Sequence, residues 1–345
     1  MSKSNAESSQ TQELWRRWWH FTYFFRGDTM RKKIILMAII IICLILVVTY
    51  FIIGNYFYNI SLNPKKDKSF ILGGYEETEE QLQKLEEQKI WLEENSKDVY
   101  ITATNNGNLK LHAYEITKAD SDIWVIAVHG YMSKASALTR FAQKFEERGY
   151  NVLMPDLRGH GLSEGKYVGM GWHDRLDLID WINYVLEKNP KCKIILYGIS
   201  MGAATVMMAT GEEFPNNVKL AISDCGYTCV WDELCHQMNK LFDLCEFPVL
   251  YAANTVCKIN AGYSFKEASC IDQIKKSKTP TLFIHGDGDE FVPFKMLDEV
   301  YEAASCEKEK LVVEGATHGQ SSAVNPEIYW GTVDRFIEKY LNKAI

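Results

Sequence analysis

Hydrophobic positions divide the chain into three stretches with different periods. Residues 34–53 (IILMAIIIICLILVVTYFII) carry no charge and are apolar on every helical face. At about 1.5 Å per residue such a helix crosses the roughly 30 Å hydrocarbon core of a bilayer, so a transmembrane helix is predicted there. Residues 55–75 read as a tether. Residues 76–94 (EETEEQLQKLEEQKIWLEE) place Leu82, Leu85 and Leu92 on one stripe of an acidic amphipathic helix.

From residue 99 onward, short apolar runs alternate with segments of helical period. Strands are predicted at 99–104 and 109–116, joined by the turn Asn105-Asn106-Gly107-Asn108. Further strands fall at 123–128, 151–154, 193–197, 218–223, 281–284 and 310–313. Helices are expected at 138–148, 174–188, from 201, at 294–304 and after Asn325-Pro326, where a first-turn proline suits a helix start. Uninterrupted apolar strands between amphipathic helices predict an α/β fold, with an eight-stranded, mostly parallel sheet covered on both faces. The rhythm breaks after residue 224, where more than fifty residues rich in Cys, Met, Phe and Leu precede the next strand. That exceeds a simple crossover, so a helical cap is expected at about 226–278.

Composition narrows the function classes. With 47% hydrophobic and 24% charged residues among 345, the chain is neither disordered nor collagen-like. Lys plus Arg number 38 against 45 Asp plus Glu, so the basic footprint of a nucleic-acid binder is missing. The charge is uneven, however: residues 1–33 hold seven basic and three acidic groups. That bias puts the N-terminal segment in the cytoplasm and everything after the span outside it. The apolar run is longer than a signal peptide's and leads into Gly54-Asn55-Tyr56-Phe57, so an uncleaved anchor is expected. Before it, LWRRWWHFTYFFR interleaves aromatic and basic groups, as at lipid headgroup depth. The expected organisation is 1–33 cytoplasmic, 34–53 transmembrane, 54–98 tether and acidic helix, and 99–345 an extracytoplasmic domain. Of nine cysteines, Cys43 lies in the span and eight lie beyond it, an even number that permits disulfides. No CxxC or His-rich spacing suggests zinc, and neither a metal nor an organic cofactor is expected.

The chemistry gathers where strands end. Ile194 to Tyr197 runs into Gly198-Ile199-Ser200-Met201-Gly202, a GxSxG turn between strand and helix. A serine on so tight a turn needs small neighbours and projects its hydroxyl above the sheet, making Ser200 the candidate nucleophile. Acid and histidine should follow in that order, each after a later strand. His318, after the strand at 310–313, is the candidate base. Asp287, Asp289 and Glu290 compete for the acid at the end of the preceding strand. Backbone donors for an oxyanion should come from Met201, next to the nucleophile, and from Tyr131 in the loop after 123–128. His129 and Gly130 of that loop are expected against the substrate. His285 and His160 read as structural hydrogen-bonders near the site.

VHGYMSKAS, PDLRGHGLSEG, YGISMGAA, DCGYT, FIHGDGDEFVP and GATHG, in this order, resemble the α/β-hydrolase superfamily. The similarity is to its monoglyceride-lipase-like and serine-aminopeptidase-like group, which includes membrane-anchored cell-surface hydrolases of Gram-positive bacteria, and it spans about residues 99–343. In the family pattern HGxxDxxVP the second aspartate is the triad acid, which here is Asp289. The stretch from Asp156 to Gly165 is implied to shape the pocket floor. The resemblance implies a membrane-anchored serine hydrolase working through Ser200, His318 and Asp289 and an acyl-enzyme. The expected substrates are carboxylic esters: short acyl, aryl or monoacylglycerol-type. The alternative is an aminopeptidase, needing acidic groups in the cap to hold a free amine, with Asp232, Glu233, Asp243 and Glu246 as candidates. A second alternative is a catalytically silent surface binding module.

Overall fold

Alternate burial along the strands decides how the sheet is covered. In the computed structural model, which describes residues 4–72, 78–104 and 107–341, Met1–Ile53 and Gly54–Ile345 form two units. The first holds most of helix α1 (Ser4–Leu62), which from Thr29 is long and apolar enough to cross a membrane. Its uncharged residues 34–49 are all exposed. Such a continuous apolar surface needs a partner other than water.

The second unit is built on eight strands: β1 (Lys97–Thr102), β2 (Lys110–Ile116), β3 (Ile123–Val128), β4 (Asn151–Pro155), β5 (Lys193–Ile199), β6 (Val218–Asp224), β7 (Thr281–Gly286) and β8 (Lys308–Val313). Their order is β1-β2-β4-β3-β5-β6-β7-β8. β1 with β2 and β2 with β4 are antiparallel, and every other pair is parallel. The expected α/β-hydrolase architecture is therefore present. Trp124, Ile126 and Val128 of β3 face one apolar layer, while Val125 and Ala127 face the other. The first layer is closed by α4 (Asp174–Lys188), α5 (Met201–Ala209) and α9 (Lys295–Ala303). The second is closed by α3 (Thr139–Glu147) and α11 (Pro326–Leu341), preceded by the single turn α10 (Ser321–Val324). Two-sided burial explains why these strands read as unbroken apolar runs.

Between β6 and β7 lie α6 (Val230–Phe242), α7 (Val249–Asn260) and α8 (Cys270–Ile274), in the stretch expected to be a helical cap. All nine cysteines are free thiols. Helix α2 (Glu79–Asn95) opens with a capping box in which Thr78 and Gln81 satisfy each other's amides. Of its expected leucine stripe only Leu92 is buried; Leu82 and Leu85 face solvent. Parts of three sequence expectations lie outside the described residues: Asn105 and Asn106 of the β1–β2 turn, 73–75 of the tether and 76–77 of the acidic helix. The start of the tether departs from expectation. Residues 54–62 are the helical end of α1, and Leu62 is fully buried.

Candidate active site

Glycines let the chain make the turn that presents Ser200. A Cβ on Gly198 would come within 2.3 Å of the Gly202 carbonyl oxygen, and one on Gly202 within 2.0 Å of the Val128 oxygen. The start of α5 is thus pressed onto the end of β3 at a distance no side chain permits. Ser200 takes the strain, with φ 58° and ψ −121°, and its amide donates to the Asp224 carbonyl at 2.8 Å. The hydroxyl is thereby held at the C-terminal edge of the sheet.

The structure brings together the three residues that the sequence reading paired. His318 Nε2 lies 2.9 Å from Ser200 Oγ, and His318 Nδ1 lies 2.7 Å from Asp289 Oδ2. Asp289 Oδ1 accepts from the amides of Phe291 and Val292 at 2.9 and 3.0 Å. Burial works to raise the Asp289 pKa, but hydrogen bonds from His285 and His318 outweigh it and hold the carboxyl well below its usual range. An ionised Asp289 can only accept, so the imidazole proton sits on Nδ1 and Nε2 is left to accept from the Ser200 hydroxyl. Its two competitors are engaged elsewhere: Asp287 caps the Gly315 amide at 2.6 Å, and Glu290 reaches Lys240 at 3.2 Å. His285, read as a structural neighbour, lies 3.1 Å from Asp289 Oδ2, the oxygen that also meets His318. Sequence reasoning missed Cys225, whose thiol is grouped with the Asp289 and His318 donor atoms within 4.8 Å of one another. Burial and then the Asp224 and Asp289 charges push that thiol well up, which keeps it neutral.

Gly130 approaches the candidate nucleophile closely: a Cβ there would stand 3.2 Å from Ser200 Cβ. The next amide, that of Tyr131, is taken by no backbone carbonyl among the described residues. Met201 opens α5, where the first amides have no partner within the helix. Two expected roles need correction. His129, anticipated against the substrate, is fully buried and is not among the residues lining the cavity at Ser200. Its Nδ1 lies 2.8 Å from the Gly130 carbonyl and its Nε2 accepts from the Leu157 amide at 3.0 Å, so the ring clamps the loop from behind. Gly130 likewise is not among the residues lining that cavity, but leaves room beside Ser200. The stretch from Asp156 to Gly165 is not the pocket floor either. Asp156 instead ties the amides of Ala135 and Leu162 and the His112 ring together, and Arg158 forms a buried two-bond pair with Asp177.

Ser200 opens into a narrow cavity of about 70 Å³. Met170, Tyr227, Leu234, Met238, Leu250 and Val292 are among its walls, which are mostly apolar. Of the four cap acids, Asp232, Asp243 and Glu246 are exposed and line none of it. Glu233 does line it: Oε1 accepts from Gln237 Nε2 at 2.9 Å, while Oε2 is buried without a protein partner. Burial pushes this carboxyl up to about 8 from an ordinary 4.5, so it is neutral at pH 7. A folded-state pKa raised this way gives stability that is fully present below pH 4.5 and is lost as pH rises towards about 8. Glu233→Gln, neutral at every pH, is therefore expected to unfold several degrees above the parent at about pH 8.5 and within about a degree of it near pH 4.5. Thermal unfolding followed by circular dichroism checks this; a gain independent of pH would contradict it.

Comparison with known proteins agrees with this architecture. Residues 119–244 match the family described as serine aminopeptidase, S33, a stretch that includes Ser200 and stops before Asp289 and His318. The uncharacterized protein YqkD of Bacillus subtilis (strain 168) is 28% identical over 229 residues, 66% of this chain and 75% of that protein. The uncharacterized protein YfhR of Salmonella typhi is 26% identical over 227 residues, 63% of this chain and 73% of that one. Among solved structures, the Pyrococcus furiosus esterase Pf2001 superposes with a TM-score of 0.59 at 27% identity, covering 73% of this chain and 95% of the esterase.

Proposed function

We propose that this chain, an α/β-hydrolase by fold and by similarity, is a membrane-anchored serine esterase acting on carboxylic esters with apolar acyl groups. The observation that carries the reading is the unbroken chain from Asp289 through His318 to Ser200, ending at an apolar cavity. Ser200 Oγ attacks the ester carbonyl while His318 Nε2 takes its proton. The oxyanion is held by the amides of Tyr131 and Met201. His318 then protonates the departing alkoxide, and the acyl group stays on Ser200. Water, losing its proton to the same nitrogen, attacks the acyl-enzyme, and the acid leaves as the hydroxyl is restored. Asp289 keeps the Nδ1 proton in place and stabilises the imidazolium in both halves of the cycle.

Cavity chemistry favours esters over peptides. An aminopeptidase must hold a substrate ammonium, and the single cap carboxyl that reaches the cavity is uncharged at neutral pH. Apolar walls reward acyl length instead: each methylene buried contributes about 0.8 kcal/mol, roughly fourfold in kcat/KM, until the cavity is full. The name of the matching family supports the peptidase as the second reading. Nitrophenyl esters of graded chain length and aminoacyl amides, tested side by side, separate the two; turnover of the amides alone would reverse the order.

The uncharged run at 34–53 and the basic excess before it support a single span with a cytoplasmic N-terminus and the esterase outside. Intact cells expressing the chain are then expected to hydrolyse a membrane-impermeant ester and to lose that activity to added protease. Activity that needs lysis would place the domain inside.

A further inference from the structure

The hydrolase sheet and its cap leave one side of the cavity to be completed by residues that precede β1. Phe57, Ile60 and Ser61, from the end of α1, share the cavity lining with Ser200. In sequence Phe57 comes four residues after the last position of the apolar run. We propose that residues 54–62 are a specificity-determining wall of the acyl site, which sets the acyl length the enzyme accepts. The proposal rests on the esterase reading and goes beyond it, because the family's motifs begin far downstream of this segment.

Three observations fix the segment in place. At Gly54 a Cβ would come within 2.6 Å of the Ala252 carbonyl oxygen, so the helix lies directly against α7. The Phe57 ring meets the Phe242 ring of α6 edge-on, 5.4 Å between centroids. At the far end the Leu62 carbonyl accepts from the Val168 amide at 2.8 Å, and the Leu62 side chain is fully buried. A segment held at both ends and packed on two cap helices is a fixed wall rather than a tether.

The same segment reaches the reacting atoms through one hydrogen bond. The Tyr131 hydroxyl donates to the Ser61 carbonyl at 2.5 Å. Burial drives the Tyr131 phenol pKa far above its ordinary 10.0, so it stays a donor at any working pH. Tyr131 is also the residue whose amide is assigned to the oxyanion. Its side chain is thus anchored to the end of α1. Ile60 and Phe57 bound the space that an acyl chain would fill.

Full-length protein in detergent micelles tests the wall, with the ratio of kcat/KM for nitrophenyl laurate to that for nitrophenyl butyrate as the reading. Ile60→Trp fills the cavity and is expected to lower this ratio about tenfold or more; Phe57→Ala enlarges it and is expected to raise the ratio about threefold or more. Ile259→Trp, at an exposed α7 position outside the lining, is expected to leave the ratio as in the parent. Should Ile60→Trp fail to fold, the sign of the Phe57→Ala shift decides. Labelling of Ser200 by a fluorophosphonate runs alongside. A ratio unmoved by either wall variant in protein that still labels overturns the wall and leaves the esterase standing, whereas folded parent protein that never labels overturns both.

Discussion

Ser200→Ala is expected to cut kcat for ester hydrolysis by roughly 10⁴- to 10⁶-fold while leaving the fold intact. The magnitude follows from what the hydroxyl alone supplies. Among the described residues no other nucleophile shares its hydrogen bond to His318 Nε2, at 2.9 Å, together with an opening into the apolar cavity. The neighbouring Cys225 thiol is no substitute, since burial and nearby carboxylates keep it neutral. Stability should hardly move, because the backbone angle at Ser200 is as unfavourable for alanine as for serine and the freed His318 ring is 25% exposed, so water can replace the lost partner. A double variant sharpens the test. If Ser200 and His318 act as one unit, Ser200→Ala/His318→Ala is no slower than Ser200→Ala, and the residual rate is that of the oxyanion donors and binding alone. Losses that multiply would show two groups working independently, and the proposed proton transfer would be wrong. Stopped-flow or long-time ester assays on the three variants, with thermal midpoints measured beside them, provide the comparison.

How far each part could be read from the chain depends on the range of the forces that set it. The sheet was readable because strands buried on both faces leave unbroken apolar runs, and GxSxG was readable because its steric demand is local: Gly198 meets Gly202, and Gly202 meets the end of β3. The acid was not settled by residues alone. Asp287, Asp289 and Glu290 are equivalent by type, and only folding sends Asp287 to the Gly315 amide and Glu290 to Lys240; the family pattern was needed to choose Asp289. The roles of His129 and of the stretch from Asp156 to Gly165 were misread for a related reason. A histidine beside a candidate oxyanion loop looks like a substrate contact until its ring is seen spent on Gly130 and Leu157. The end of α1 was hidden altogether. No period in 54–62 announces that it will pack on α6 and α7, because the surface that receives it is assembled from residues some 190 positions later.

Asp289→Asn tests the acid with almost no change of shape, and is expected to lower kcat by about 10³- to 10⁴-fold with KM little altered. In the parent, Asp289 Oδ1 accepts from the amides of Phe291 and Val292, so an asparagine placed there must keep its carbonyl oxygen on that side. Its amide nitrogen then occupies the Oδ2 position, 2.7 Å from His318 Nδ1 and 3.1 Å from His285 Nε2. A nitrogen that donates forces the facing ring nitrogen to accept, so the His318 proton moves to Nε2 and points at Ser200. The base is then blocked at the atom that must take the serine proton, and the imidazolium has lost its stabilising charge. Two further readings separate this account from simple loss of structure. Asp289, with its pKa held below the ordinary 3.8, contributes stability above that value and loses it as pH falls through the depressed one; the variant should therefore lose thermal stability at neutral pH, and the gap from the parent should close as the solution is acidified. Fluorophosphonate labelling should slow in proportion to kcat, since both need the hydroxyl activated by the same nitrogen. A variant that keeps kcat within about tenfold of the parent would mean that His318 is oriented by something other than Asp289, and the triad would have to be redrawn around that group.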